Sequence, residues 1–223
     1  MNIFERNAKK VVIMATVAAS FSAIFVRLID ASPVAIGFYR LTFSVPFFAA
    51  AVFLHHREEL KSISVKQGLG CMLGGLFLAG HYFTWFTALG RTTVASAVVL
   101  CNLSPIIILL ITALILREKT NLKAVVGVII ALVGAAIIAG GDYSFAGKAI
   151  YGDILAFFGA LFYSLYFLVG RRMRKEVNAS VYVFIIFTTC WLAFTVGMFA
   201  TGTPFTGYSA KNYWLMFAFA MIC

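Results

Sequence analysis

Four polar side chains stand inside otherwise apolar segments of this sequence: Ser22, Arg40, His81 and Asn102. Counted from the outer end of each segment at about 1.5 Å per residue, they lie roughly 10 to 14 Å deep. Ionisable groups at such depth are costly and usually face a bundle interior or a watery cavity. Because the four residues come from four segments and reach a similar depth, we predict that they line one polar pocket in the outer half of a membrane.

Large aromatic side chains crowd the same depth. They are Tyr39, Tyr82, Trp85, Tyr163 and Tyr166. Aromatic walls around a few polar groups are usual in small-molecule sites. The sequence therefore predicts a pathway for a small polar solute, with these rings as its walls.

Arg40 and His81 each have two interpretations. Arg40, with Ser44 one turn further on the same face, could anchor a substrate carboxylate or other anion in bidentate geometry. It could instead cap buried carbonyl groups or extend its long stem towards the interface. His81 shares a face with Trp85 and could couple transport to protons, or it could be a hydrogen-bonded helix histidine. The sequence leaves these alternatives open.

Two further residues are interpreted as gating or kink positions. Pro105 follows Asn102 in the same segment, where it removes a backbone hydrogen bond and is expected to kink the helix. Glu118 lies at the inner end of that segment, between Arg117 and Lys119. We predict that it pairs with a basic group in a structural or gating ion pair.

The composition places these residues in a membrane. The chain has 223 residues, of which 62% are hydrophobic and 12% charged, and its mean hydropathy is +0.98. Soluble domains carry about 45–50% apolar and about 25% charged residues, and a helix needs roughly 20 apolar residues to cross a bilayer. The predicted spans are 11–29, 33–54, 67–90, 94–116, 123–140, 151–170 and 180–200, with an incomplete eighth span from 212.

The basic residues alternate between short loops. Thirteen of the eighteen Lys and Arg side chains fall at the N-terminus and in loops two-three, four-five and six-seven, against four on the opposite side. Because cytoplasmic loops carry the excess of positive charge, the N-terminus is predicted to be cytoplasmic and the chain multi-pass in the inner (plasma) membrane. The net charge of +10 is thus explained by the orientation of the chain in the membrane. We therefore reject a nucleic-acid partner. The run Arg171, Arg172, Arg174 and Lys175 also suits anionic lipid headgroups.

Enzymatic alternatives find little support in the residues. The four cysteines lie in apolar runs without metal or disulfide spacing, and neither a Walker A motif nor paired carboxylates occur in the spans. We therefore expect no metal, no cofactor and no catalytic residues. A membrane-embedded lipid-modifying enzyme, a channel and a structural subunit remain as alternatives to a carrier.

A weak internal repeat is visible in the first and sixth spans. Both carry small residues four apart, namely Ala15, Ala19 and Ala23 in one and Gly152, Ala156, Ala160 and Ser164 in the other. This pattern is also typical of generic close helix packing. A repeat over five spans must invert, as in many transporters. It predicts ten helices in two inverted five-helix repeats, at 1–140 and 151–223, with the sequence ending inside the eighth helix.

Several short patterns occur in a fixed order. They are Ser32-Pro33 followed by Arg40, the segment 83–89 (Phe-Thr-Trp-Phe-Thr-Ala-Leu), and the segments 93–97, 102–105, 116–120 and 127–134. Together they resemble the EamA type of the drug/metabolite transporter superfamily; spans nine and ten of that family's pattern are absent here.

The resemblance implies ten helices around a central substrate pathway, in a family whose members move amino acids, other metabolites, nucleotide sugars or drugs. The expected function is a secondary carrier that moves small polar metabolites such as amino acids by alternating access, with efflux preferred over uptake. Its expected partners are the substrate and membrane lipids, with proton coupling and a homodimer left open.

Overall fold

The computed structural model describes residues 3–118, 122–140 and 148–223, which form helices and turns without any strand in those ranges. In chain order the helices are α1 (Ile3–Ser20), α2 (Ser22–Leu28), α3 (Pro33–His55), α4 (Arg57–Ser62), α5 (Val65–Leu89), α6 (Val94–Cys101), α7 (Ser104–Leu110), a π-helical segment (Ile111–Ile115), α8 (Leu122–Gly140), α9 (Lys148–Met173), α10 (Ala179–Ala200) and α11 (Ala210–Ile222).

Several of these helices are long and apolar enough to cross a bilayer. Within the described residues they are Pro33–His55, Val65–Leu89, Val94–Ile115, Ile150–Met173 and Ala179–Ala200, and Ile13–Leu28 is a shorter apolar helix. The prediction of an all-α polytopic membrane protein is confirmed. A helix needs roughly 20 apolar residues to cross the hydrocarbon core, which sets the length of each segment. The helical form pairs every backbone N–H and C=O group where no water is present.

The structure differs from the predicted boundaries at the basic end of the bundle. The predicted loop between spans two and three contains the short helix α4. Within it Lys61 donates a hydrogen bond to Glu58 at 2.7 Å, an i,i+3 ion pair that favours a helix. Helix α9 runs past the predicted end at 170 to Met173. Most of the connection between the predicted fifth and sixth spans, residues 141–147, lies outside the described residues.

The fourth span is interrupted twice. Helix α6 ends at Cys101 and α7 begins at Ser104, so Asn102 and Leu103 form a turn. Pro105 stands in the first turn of α7, where its missing N–H leaves no hydrogen bond unmade. The span then widens into the π-helical segment, a form often found at functional sites.

Close helix packing brings the sixth span into the centre. Helix α9 packs along α5 and against α6 and α7, while α10 packs on α3 and α5, and α11 packs on α3 and α2. Ala156 and Ala160 are fully buried, and Ser164 Oγ donates to the carbonyl of Ser104 at 3.1 Å. In the first span Ala23 is buried, whereas Ala15 and Ala19 are exposed.

Candidate functional site

Arg40 lies two turns into α3, whose start is fixed by local sequence. Ser32 caps this helix by accepting a hydrogen bond from the Ala35 N–H at 3.2 Å, and Pro33 occupies the first turn. Ser44, one turn beyond Arg40, donates to the Arg40 carbonyl at 2.8 Å. The arginine is thus held on a well-defined helix face.

The Arg40 guanidinium lies between two aromatic rings. Its central carbon is 4.5 Å from the ring centroid of Tyr82 and 4.5 Å from that of Phe219. One Nη2–H donates to the Cys223 carbonyl at 2.8 Å. The ion pairs found in the described part of the chain do not include Arg40. Its charge is therefore stabilised by the two ring faces, without a paired Asp or Glu side chain among the described residues.

His81 directly precedes Tyr82 on α5, and its side chain is buried. Its Nδ1 lies 2.9 Å from the Gly159 carbonyl, which can only accept, so Nδ1 carries the proton and Nε2 is free to accept. A Cβ at Gly159 would lie 3.2 Å from Thr84 Oγ1, so glycine lets the α9 backbone come this close. The structure thus gives His81 the hydrogen bond expected of a satisfied helix histidine.

A continuous row of side chains crosses the bundle from Arg40. The His81 ring lies 5.5 Å from Tyr82 and 5.0 Å from Tyr163, and Tyr163 lies 5.9 Å from Tyr166, centroid to centroid. We call Arg40, Tyr82, His81, Tyr163 and Tyr166 the central row. It joins α3, α5 and α9, and so brings together five of the predicted pathway residues.

Tyr39 belongs to a separate cluster at the predicted outer end of the bundle. Its hydroxyl donates to the Phe205 carbonyl, and its ring lies 5.8 Å from Tyr208 and 5.3 Å from Tyr213. We call these four residues the outer aromatic cap. Gly207 has a φ of +96°, a backbone conformation that glycine adopts without strain, which lets the connection turn back over Tyr39. Burial raises the pKa of the Tyr208 hydroxyl.

Three predicted pathway residues are not joined to the central row. Trp85 is buried in an apolar cluster with Phe86, against which Tyr82 of the central row packs, but it has no ring contact of its own with that row among the described residues. Ser22 is half-buried at the start of α2, and Asn102 is exposed at the end of α6. In the described part of the chain, no hydrogen bond or ring contact links them to Arg40 or His81. Similar depth does not decide which way a helix faces, so their place in a pathway stays a prediction.

Glu118 forms an ion pair with Arg171 at the basic end of the bundle. The Arg171 Nη2 lies 2.5 and 2.6 Å from the two carboxylate oxygens. Arg117 adopts a left-handed φ of 53°, and the Glu118 N–H then returns to the Thr112 carbonyl at 3.1 Å, which fixes the carboxylate at the helix end. Hydrogen bonding from Arg171 lowers the pKa of the Glu118 carboxyl. The pair joins the fourth span to the sixth.

Two polar contacts between helices and one aromatic ring beside Arg40 were not predicted from the sequence. Phe219 flanks Arg40 but stands in an ordinary apolar run. Asn212 exchanges two hydrogen bonds with the backbone of Asp30, at 3.0 and 3.2 Å. Thr92 donates to Asp153 at 2.7 Å. An isolated amide side chain at the start of an apolar segment, such as Asn212, could have indicated one of these contacts from the sequence.

A match in sequence identifies the family of this protein. A family model described as the EamA-like transporter family matches residues 9–140, more than half of the chain. The chain therefore belongs to the EamA-like transporter family, and the resemblance noted in the sequence is confirmed. It is thus a multi-pass membrane protein of a transporter family.

Curated relatives carry transporter names. An uncharacterized transporter of Archaeoglobus fulgidus is 29% identical, covering 71% of this chain and 55% of the relative. The uncharacterized transporter YxxF of Bacillus subtilis is 29% identical, covering 88% and 58%. The aromatic amino acid exporter YddG of Ancylobacter novellus is 27% identical, covering 59% and 48%. This chain thus spans about half to three-fifths of the length of these relatives.

A solved crystal structure has the same fold. It superposes with a TM-score of 0.66 at 19% identity, over 93% of this chain and 74% of the other. At that identity the likeness shows the fold alone.

Proposed function

We propose that the protein is a secondary carrier that exports small polar metabolites, with amino acids as the preferred class, by alternating access. Family membership supports transport in general. The name of the Ancylobacter novellus relative, an aromatic amino acid exporter, supports the substrate class and the direction. The basic loops support a cytoplasmic N-terminus in the inner membrane.

The observation that carries the proposal is the environment of Arg40. Its guanidinium is held between Tyr82 and Phe219 with no carboxylate partner among the described residues. A guanidinium has five N–H donors and matches a carboxylate in bidentate geometry. An amino acid would place its carboxylate on Arg40 and its side chain among the rings of the central row.

Helix pairing supports the inverted architecture on which alternating access would rest. The third span packs on the sixth and seventh (α5 with α9 and α10), and the eighth packs on the first and second (α11 with α2 and α3). In a ten-span protein with two five-span repeats, span three of the first repeat corresponds to span eight of the second. Spans six and seven likewise correspond to spans one and two. The first pairing is therefore equivalent to the second. The pairing of α3 with α10 maps onto itself. We infer two inverted repeats at 1–140 and 151–223.

Gating is proposed at the two ends of the bundle, on either side of the central row. The outer aromatic cap covers one end, and the Glu118–Arg171 pair joins the predicted repeats at the other. Each must open for its side of the pathway to be exposed. Proton coupling would use the free Nε2 of His81, and His81→Gln should then abolish pH-driven transport while leaving exchange of substrate intact.

Arg40→Lys tests the substrate proposal. Lysine keeps the charge but loses the planar fork, so a bidentate contact worth about 1.5–3 kcal/mol should be largely lost. We expect the apparent KM for amino acid counterflow in proteoliposomes to rise roughly 10- to 100-fold. Arg91→Lys is the matched control, because Arg91 is exposed at the outer edge, away from the central row.

The outcome separates two roles of Arg40. If Arg40→Lys raises KM and Arg91→Lys does not, Arg40 recognises the substrate. If counterflow is unchanged in Arg40→Lys, the guanidinium serves only to pack between Tyr82 and Phe219 and the recognition proposal is wrong. Thermal unfolding of each variant shows whether a loss of transport reflects a loss of folded protein.

A further inference from the structure

A cleft of about 660 Å³ opens at the basic end of the bundle, apart from the central row. It lies between the first turns of α5, the π-helical segment and the last turns of α9. No residue of the central row lines it. Its volume is within the roughly 300–1,000 Å³ typical of small-molecule sites. The cleft therefore has the size of a second ligand site.

One wall of the cleft is apolar and faces outward. It is formed by Leu73, Leu116, Leu168 and Val169, and the exposed fractions of Leu73 and Leu116 are 45% and 50%. Both residues belong to or directly follow membrane-spanning helices. In a bilayer this wall would meet hydrocarbon, so the cleft is open to lipid from the side.

The rim of the cleft is basic. Lys66, Arg171, Arg172 and Lys175 line it, against the carboxylates Glu118 and Glu176. Arg171 is paired with Glu118, and Arg172 Nε lies 4.0 Å from Glu176. Within the described part of the chain, the ion pairs include neither Lys66 nor Lys175. The charge of Lys175 also acts on the Glu118 carboxylate. Lys66 and Lys175 are thus two exposed ammonium groups outside these ion pairs that can bind an anion at the mouth of an apolar groove.

We propose that this cleft binds one anionic phospholipid. The phosphate sits between Lys66 and Lys175, and an acyl chain lies along Leu73, Leu116 and Leu168. Basic pockets between membrane helices on the cytoplasmic side are suited to such headgroups. The charge selects an anionic over a zwitterionic lipid, and the apolar wall selects a lipid over a free anion.

Native mass spectrometry of the full chain in neutral detergent tests the proposal, with phosphatidylglycerol and phosphatidylcholine as probes. We expect phosphatidylglycerol to bind at least tenfold more tightly. Each removed positive charge should weaken it about fivefold, so the double variant Lys66→Gln/Lys175→Gln should lose about 25-fold. Arg174→Gln is the matched control, because Arg174 belongs to the same basic run but does not line the cleft. It should change the affinity less than twofold.

Three results would overturn the proposal. The first is equal affinity for the two lipids. The second is an equal loss in Arg174→Gln and in the double variant, which would mean diffuse surface attraction. The third is full displacement of phosphatidylglycerol by inorganic phosphate or by glycerophosphoglycerol at the same concentration, which would mean a site for a free anion. All substituted side chains are exposed, so unfolding temperatures should stay within about 2 °C of the wild type.

Discussion

Two adjacent glycines of α5 are expected to respond oppositely to the same substitution. An added Cβ at Gly75 would lie 2.7 Å from Thr189 Cβ and 2.8 Å from the Ile186 carbonyl oxygen on α10. At Gly74 it would lie 3.4 Å from Ile186 Cδ1 and 3.5 Å from Val169 Cγ1, which is ordinary contact. Gly75→Ala therefore forces α5 and α10 apart, whereas Gly74→Ala fits the existing space.

The size of the effect follows from two opposing contributions to the free energy of unfolding. Overpacking costs about 1–3 kcal/mol, with the upper part of that range expected at Gly75 because a backbone oxygen cannot rotate away. Replacing a helical glycine by alanine gains about 0.5–1 kcal/mol. The net effect is a loss of about 1–2 kcal/mol for Gly75→Ala and a gain of up to about 1 kcal/mol for Gly74→Ala.

Thermal unfolding in detergent, followed by a thiol-reactive dye, measures both variants. At about 2–4 °C per kcal/mol for a chain of this length, Gly75→Ala should lower Tm by roughly 2–8 °C, and Gly74→Ala should raise it by up to about 4 °C. Gly127→Ala provides a second control, since nothing lies within 4 Å of its added Cβ. If Gly75→Ala is as stable as Gly74→Ala, the close approach of α5 and α10 is refuted.

Three further predictions concern the helix ends. Because the pKa of Glu118 is lowered in the folded protein, its stabilising effect should be complete above the usual carboxyl pKa of 4.5 and disappear as pH falls through the lower folded value. The stability difference between wild type and Glu118→Gln, measured by unfolding at pH 7 and at stepwise lower pH, should vanish in that window. Arg117→Gly should stabilise the chain by up to about 1–2 kcal/mol, because glycine adopts the left-handed φ without a Cβ clash, whereas Arg117→Val should be no more stable than the wild type; equal Tm values for the two variants would contradict this. Asn212→Leu should lower stability by about 1–3 kcal/mol, because the Asp30 backbone groups lose both partners, and a Tm equal to the wild type would show that water replaces the amide.

The sequence by itself determined the class and the approximate plan of the protein. Averaged over roughly 20 residues, hydropathy decides whether a segment leaves water, so the spans could be located within a few residues. The order of short patterns around Ser32-Pro33, Arg40 and residues 102–105 was enough to indicate the family. The costly polar groups Arg40 and His81 stood out because little else in the spans is ionisable.

Only the tertiary structure decided which side chains meet. Phe219 reaches Arg40 from a helix far along the chain, Gly159 reaches His81, and Arg171 reaches Glu118. Asn102, at a similar predicted depth, is exposed among the described residues. In water the apolar face of a helix marks its buried side, but in a bilayer lipid and protein interior are equally apolar. The face that each helix turns to its neighbours is therefore set by close packing and hydrogen bonding, which the pattern of hydrophobic residues does not encode.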